Sequence, residues 1–150
     1  MSSTLATDEL LTLDSLLLGR LDIRSSTVFT FPAGLPGFVT LRRFALVDTQ
    51  RDDLIWMQSM DDAALTFLLG DPFALVPGFE VDLPASDLAT VGASASPTSL
   101  LLLAVVLLDG GEPRALNLQS PIVLDREKRV GRQVVLPESR YGMQYPITLS

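Results

Sequence analysis

The chain has 150 residues, of which 47% are apolar, and it contains neither cysteine nor histidine while carrying a net charge of −7. A chain of this length forms one core that buries roughly 70% of its unfolded surface, and such apolar content excludes long-range disorder. Without Cys or His there is no disulfide framework, no thiolate metal site and no imidazole to act as a general base near neutral pH.

The charge is unevenly distributed. Residues 1–50 sum to −1, residues 51–112 to −9 and residues 113–150 to +3. An acidic middle attracts basic partners and repels nucleic acid and anionic membranes. Asp8, Glu9 and Asp14 precede the first basic residue, Arg20, so the start lacks the positive end and unbroken apolar centre of a secretory signal. The longest apolar run, Leu100 to Leu108, falls well short of the ~20 residues of a spanning helix. The expectation is a soluble, cytoplasmic protein.

At the N-terminus, Leu10, Leu13, Leu17 and Leu21 recur at i, i+3, i+7 and i+11, behind Thr7, Asp8 and Glu9 as a helix start and before Gly19 as a stop. The spacing predicts an amphipathic helix, or an extension, over residues 1–21. A single domain then follows over residues 22–150. From Thr27 to Phe31 β-branched and aromatic residues predominate, and Pro32–Gly37 reads as a turn. Further strands are predicted over Arg43–Asp48, Leu54–Ser59, Leu65–Leu69, Phe79–Leu83, Leu100–Leu108, Ala115–Gln119, Ile122–Asp125 and Val130–Leu136. Asp109–Pro113 reads as a hairpin loop. Short helical turns are predicted over Asp61–Leu65 and Ser86–Val91. Many short strands with frequent turns predict an all-β sandwich or barrel.

Sequence motifs for chemistry are missing. No G-x-G-x-x-G, P-loop or G-x-S-x-G occurs, and the pairs Asp52-Asp53 and Asp61-Asp62 lack EF-hand spacing. No catalytic, cofactor or metal residue is predicted, and the chain reads as a non-enzyme. The basic run Arg126–Arg129 is interrupted by Glu127 and follows Asp125, which argues against phosphate binding.

Several segments, read in order, carry a resemblance. They are Phe31-Pro-Ala-Gly-Leu-Pro-Gly-Phe38, Phe44–Val47, Ile55-Trp-Met-Gln-Ser-Met-Asp-Asp62, Asp71-Pro-Phe73, Pro77-Gly-Phe-Glu80, Leu116–Leu118, Pro121–Val123 and Gly131–Val135. In this order and spacing the chain resembles the FliW family of flagellar assembly factors over residues 22–148. It departs from the family pattern at Met57 and Phe79, and in a tail, Tyr141–Ile147, that lacks the family's Arg and His before the last Pro.

The resemblance implies a compact β-barrel-like domain that acts by partner exchange in the cytoplasm. Such a protein binds flagellin and also CsrA, a basic dimeric RNA-binding repressor of flagellin translation, and is itself a monomer when free. For CsrA the candidate contacts are Asp61, Asp62, Asp71, Glu80 and Asp82, with turn formation as the competing role for Asp71 and Asp82. For apolar helical segments of flagellin the candidates are Phe73 and Phe79, with Trp56 and Met57 alongside, and core packing as the competing role. The alternatives are a split-barrel enzyme binding flavin or another small ligand, and a structural subunit of the flagellar export apparatus.

Overall fold

The computed structural model describes residues 8–83, 99–136 and 139–149. Its strands are β1 (Leu10–Ser15), β2 (Gly19–Arg24), β3 (Val28–Thr30), β4 (Arg43–Asp48), β5 (Leu54–Ser59) and β6 (Thr66–Gly70), followed by the helix α1 (Pro72–Leu75). After these come β7 (Leu100–Asp109), β8 (Glu112–Leu116), β9 (Ile122–Asp125), β10 (Val130–Gln133) and β11 (Tyr145–Pro146). The all-β expectation holds, and the architecture is a barrel.

Seven strands close the ring in the order β7-β6-β5-β4-β3-β10-β9, with β9 returning to β7. A ring with an odd number of strands cannot alternate direction throughout. One neighbouring pair must be parallel, and here it is β3 with β10, joined at Val130 and Thr30. Strand β7 serves two sheets. Its first half, Leu100–Leu103, pairs with β9 to close the barrel, and its second half, Val106–Asp109, pairs with β8, which carries β11 beyond it.

Alternation along each strand builds two apolar layers. Phe44, Met57, Leu69, Leu103, Ile122 and Leu124 fill the interior, while Leu54, Leu68, Ala104 and Val106 point outward into a second cluster covered by Val76, Phe79, Leu116 and Leu118. Because both faces of these strands are covered, Leu100–Leu108 reads as an unbroken apolar run. The β7–β8 turn is the predicted hairpin loop, with Gly110 and Gly111 both at positive φ as a two-residue turn requires.

Four sequence expectations are corrected. The helix expected within residues 1–21 is instead a hairpin of β1 and β2, paired Leu13 to Leu21 and Leu11 to Ile23. Those four residues follow a period of two and pack over Ala45, Val28 and Val47 on the outside of the barrel. Leu10 and Leu17, half of the apparent helical stripe, are exposed. No strand forms over Phe79–Leu83. The helical turn over Asp61–Leu65 is a tight turn between β5 and β6, closed by the Leu65 N–H on the Asp62 carbonyl at 3.1 Å. The strand expected over Ala115–Gln119 starts earlier and ends at Leu116. Ser86–Val91 lies outside the described residues.

Candidate partner-binding surface

The one described α-helix sets out an aromatic surface. Asp71 caps it, its carboxylate accepting from the Phe73 N–H at 3.0 Å, and Pro72 occupies the first turn, where a missing N–H costs nothing. This cap holds the Phe73 ring outward, 60% exposed. The chain then folds back, with the Phe79 N–H on the Val76 carbonyl, and Phe79 ends 8% exposed beneath Phe73, the rings edge-to-face at 5.0 Å. Phe79 lies 5.0 Å from Tyr141, and Tyr141 lies 5.6 Å from Tyr145 on β11. Four aromatic rings from distant chain segments thus form a continuous ladder, and both tyrosines of the chain belong to it.

Polar groups fix its rim. The Tyr141 hydroxyl oxygen accepts from the Glu80 N–H at 3.0 Å and from the Arg140 guanidinium at 3.1 Å. These donors hold the phenol pKa below its ordinary value, the Glu80 N–H most strongly. Arg140 also lies 5.2 Å over the Tyr141 ring and 3.3 Å from the Glu80 carboxylate. Both charged groups are well exposed, so their ion pair contributes little stability. An exposed ring on a buried aromatic base is suited to covering an apolar segment, since aromatic anchors dominate binding energy.

The predicted acidic residues divide between two places. Asp71, Glu80 and Asp82 belong to the segment that carries the ladder, Asp71 as a helix cap and Asp82 exposed. Asp61 and Asp62 lie in the β5–β6 turn. Asp61 pairs with Arg43 at 2.9 Å, and Asp62 accepts from the Ala64 N–H at 2.9 Å. Of the apolar candidates, Met57 is fully buried in the barrel interior. Trp56 is half-buried and packs on the outer cluster. Tyr141, Tyr145 and Arg140 are absent from the sequence-based candidates. Their signal was the placement of both tyrosines in a short C-terminal segment around Gly142.

The β5–β6 turn shows what the Gln-Ser-x-Asp-Asp segment does. Gln58 is fully buried; its amide nitrogen donates to the carbonyls of Ser59, Asp62 and Ala63, and its amide oxygen accepts from the Thr66 hydroxyl. The Ser59 hydroxyl accepts from the Asp61 and Asp62 N–H groups. The segment is a turn braced by its own side chains and tied to its neighbours by the Leu16 N–H on the Ala63 carbonyl and by the Arg43–Asp61 pair. Among the described residues, no group of three or more His, Cys, Asp or Glu is placed to hold a metal, and no helix is long and apolar enough to cross a membrane.

A small closed barrel with a second apolar layer, bearing an aromatic ladder whose outermost ring is exposed, places the chain among compact all-β barrel proteins. The chain belongs to the FliW family, whose sequence model, described as FliW protein, matches residues 12–147. Among its relatives, the flagellar assembly factor FliW of Treponema pallidum is 36% identical over 132 residues, covering 87% of each chain. That of Symbiobacterium thermophilum is 36% identical over 122 residues, covering 80% of this chain and 88% of its own. The fold matches a crystal structure of the flagellar assembly factor FliW with a TM-score of 0.81 at 27% identity, covering 91% of this chain and 96% of that one.

Proposed function

We propose that the chain acts in flagellar assembly as a non-enzymatic cytoplasmic binding protein that exchanges two partners. It holds flagellin, and when flagellin leaves it takes up CsrA and so relieves the repression of flagellin translation. The observation that carries this reading is Phe73, held outward by its helix cap over the Phe79–Tyr141–Tyr145 ladder. An amphipathic helix from flagellin covers this ring with its apolar face. The acidic excess of residues 51–112 draws in the basic surface of CsrA, with Asp61, Asp62, Glu80 and Asp82 among its exposed charges.

The test is co-elution of the purified chain with flagellin and with CsrA, singly and in competition. Phe73→Ser is expected to lose flagellin with its thermal stability intact. Asp61→Lys with Asp82→Lys is expected to slow CsrA association and flatten its dependence on salt. Retention of flagellin by a well-folded Phe73→Ser protein would count against the ladder as the docking surface.

A further inference from the structure

A shallow cleft of about 340 Å³, lined by none of the ladder residues, opens between the β1–β2 hairpin and the tip of the β9–β10 hairpin, and Asp61 pairs with Arg43 of its wall. Its wall sets Arg43, Lys128 and Arg129 around Leu11, Val28 and Met60, and no carboxylate lines it. In a chain with 18 acidic and 11 basic residues, this is a reversal of the prevailing sign.

The placement of Arg129 adds a second, independent observation. Its backbone lies at φ 55, in the left-handed region, and it is the one non-glycine residue with positive φ among the described residues. The last position of such a hairpin loop is one where glycine is the default, because a Cβ is strained there. The loop holds the conformation firmly. Asp125, fully buried, accepts from the N–H groups of Glu127 and Lys128 at 2.9 and 3.2 Å, and the Arg129 N–H donates to the Asp125 carbonyl at 2.7 Å. The Thr30 N–H then donates to the Arg129 carbonyl at 2.9 Å. From this position the guanidinium spans to the Ser25 carbonyl, 2.9 Å away, and lies along the cleft wall. Arg43 is turned the same way, and its partner Asp61 sits in an exposed pair that an incoming carboxylate can replace.

We infer that this cleft is a docking site for an acidic segment of a partner protein, whose carboxylates meet Arg43, Lys128 and Arg129 while an interleaved apolar side chain rests on Leu11, Val28 and Met60. Arginine forks match carboxylates in geometry as well as charge. A free small anion is a poorer occupant, because an open cleft covers too little of it and it brings nothing apolar to Leu11, Val28 and Met60. The site carries the opposite sign to the acidic surface assigned to CsrA above, and it does not depend on that assignment.

The test uses the full chain and a fluorescent hexapeptide alternating leucine and glutamate, followed by anisotropy at low and moderate salt. Arg129→Gly is the informative variant, since glycine suits the left-handed backbone and its melting temperature is expected to equal or exceed that of the parent. Saturable binding is expected, weakened about tenfold by Arg129→Gly or by Lys128→Ala, reduced by salt, and weaker for a peptide alternating serine and glutamate. No saturable binding, an affinity unchanged in Arg129→Gly, or hexanoate competing as tightly as the peptide would each overturn the proposal.

Discussion

The backbone N–H of Glu80 donates to the phenolic oxygen of Tyr141 across 3.0 Å, tying together chain positions 61 residues apart. With Arg140 donating to the same oxygen, the folded state favours the phenolate, and the Tyr141 pKa is lowered. The unfolded chain, with tyrosine near its ordinary pKa of about 10, therefore binds more protons between the two values. Stability from this source is fully present above pH ~10 and is lost as pH falls through the folded pKa. Tyr141→Phe is expected to show a deficit in urea midpoint that widens as pH rises into this alkaline window. Titration of tyrosinate absorbance should lose its lower-pH component in the same variant. A deficit constant with pH would mean that the two donors do not favour the phenolate.

Gln58 carries more of the β5–β6 turn than either aspartate beside it. Replacing it with leucine leaves the Thr66 hydroxyl without its acceptor and removes one of two donors from each of the Asp62 and Ala63 carbonyls, which keep the Leu65 and Leu16 N–H groups. At about 1–3 kcal/mol for a buried group left unpaired, less where water reaches it, Gln58→Leu is expected to cost roughly 2 kcal/mol. Asp61→Ala removes only an exposed pair with Arg43 and should cost under ~1 kcal/mol. Urea denaturation of both variants measures the contrast. Equal costs would refute the assignment.

This turn also shows which features were legible in the sequence. Strands β4, β5 and β9 begin and end where composition placed them, because each is bounded by turn residues and fills one face of the barrel. The N-terminal stripe misled because leucines spaced at 3, 4 and 4 fit a helix as readily as two short strands, and only the pairing of Leu13 with Leu21 decides between them. Phe79–Leu83 alternates like a strand, yet Phe79 is drawn into an aromatic stack by a ring 62 positions further on, a contact that no local pattern encodes. Phe73 was recognisable as a candidate, but its exposure depends on the cap at Asp71 and on the Phe79 ring beneath it.

The Phe31–Phe38 segment needs its first glycine for two reasons at once. Gly34 has φ +66, and a Cβ there would lie 2.7 Å from the Cα and carbonyl oxygen of Val39, backbone atoms that have no rotamer to escape into. The left-handed backbone alone costs about 1–2 kcal/mol for alanine, and the contact adds to it. Gly37 has φ +83 with nothing within 4 Å of its Cβ position. Gly34→Ala is thus expected to lose more than ~3 kcal/mol, and Gly37→Ala only the conformational part, ~1–2 kcal/mol. Thermal unfolding of the two variants ranks them, and a reversed order would exclude the Val39 contact as the cause.

The hairpin of β1 and β2 makes a prediction that a helix would not. Leu13 is buried with Ile23 and Ala45 on the outer face of the barrel, whereas Leu17, four positions along and on the same side of a notional helix, is exposed at the hairpin turn. Leu13→Ala removes a packed side chain and is expected to cost about 2–4 kcal/mol. Leu17→Ala should stay within ~0.5 kcal/mol. Because Leu11 and Ile23 share the buried face, Ile23→Ala should behave as Leu13→Ala does, and the two together should be less than additive, since they touch the same cluster. Chemical denaturation of the three single variants and the pair settles the period. A Leu17→Ala cost matching that of Leu13→Ala would restore the helical stripe and remove the hairpin from the outer wall of the barrel.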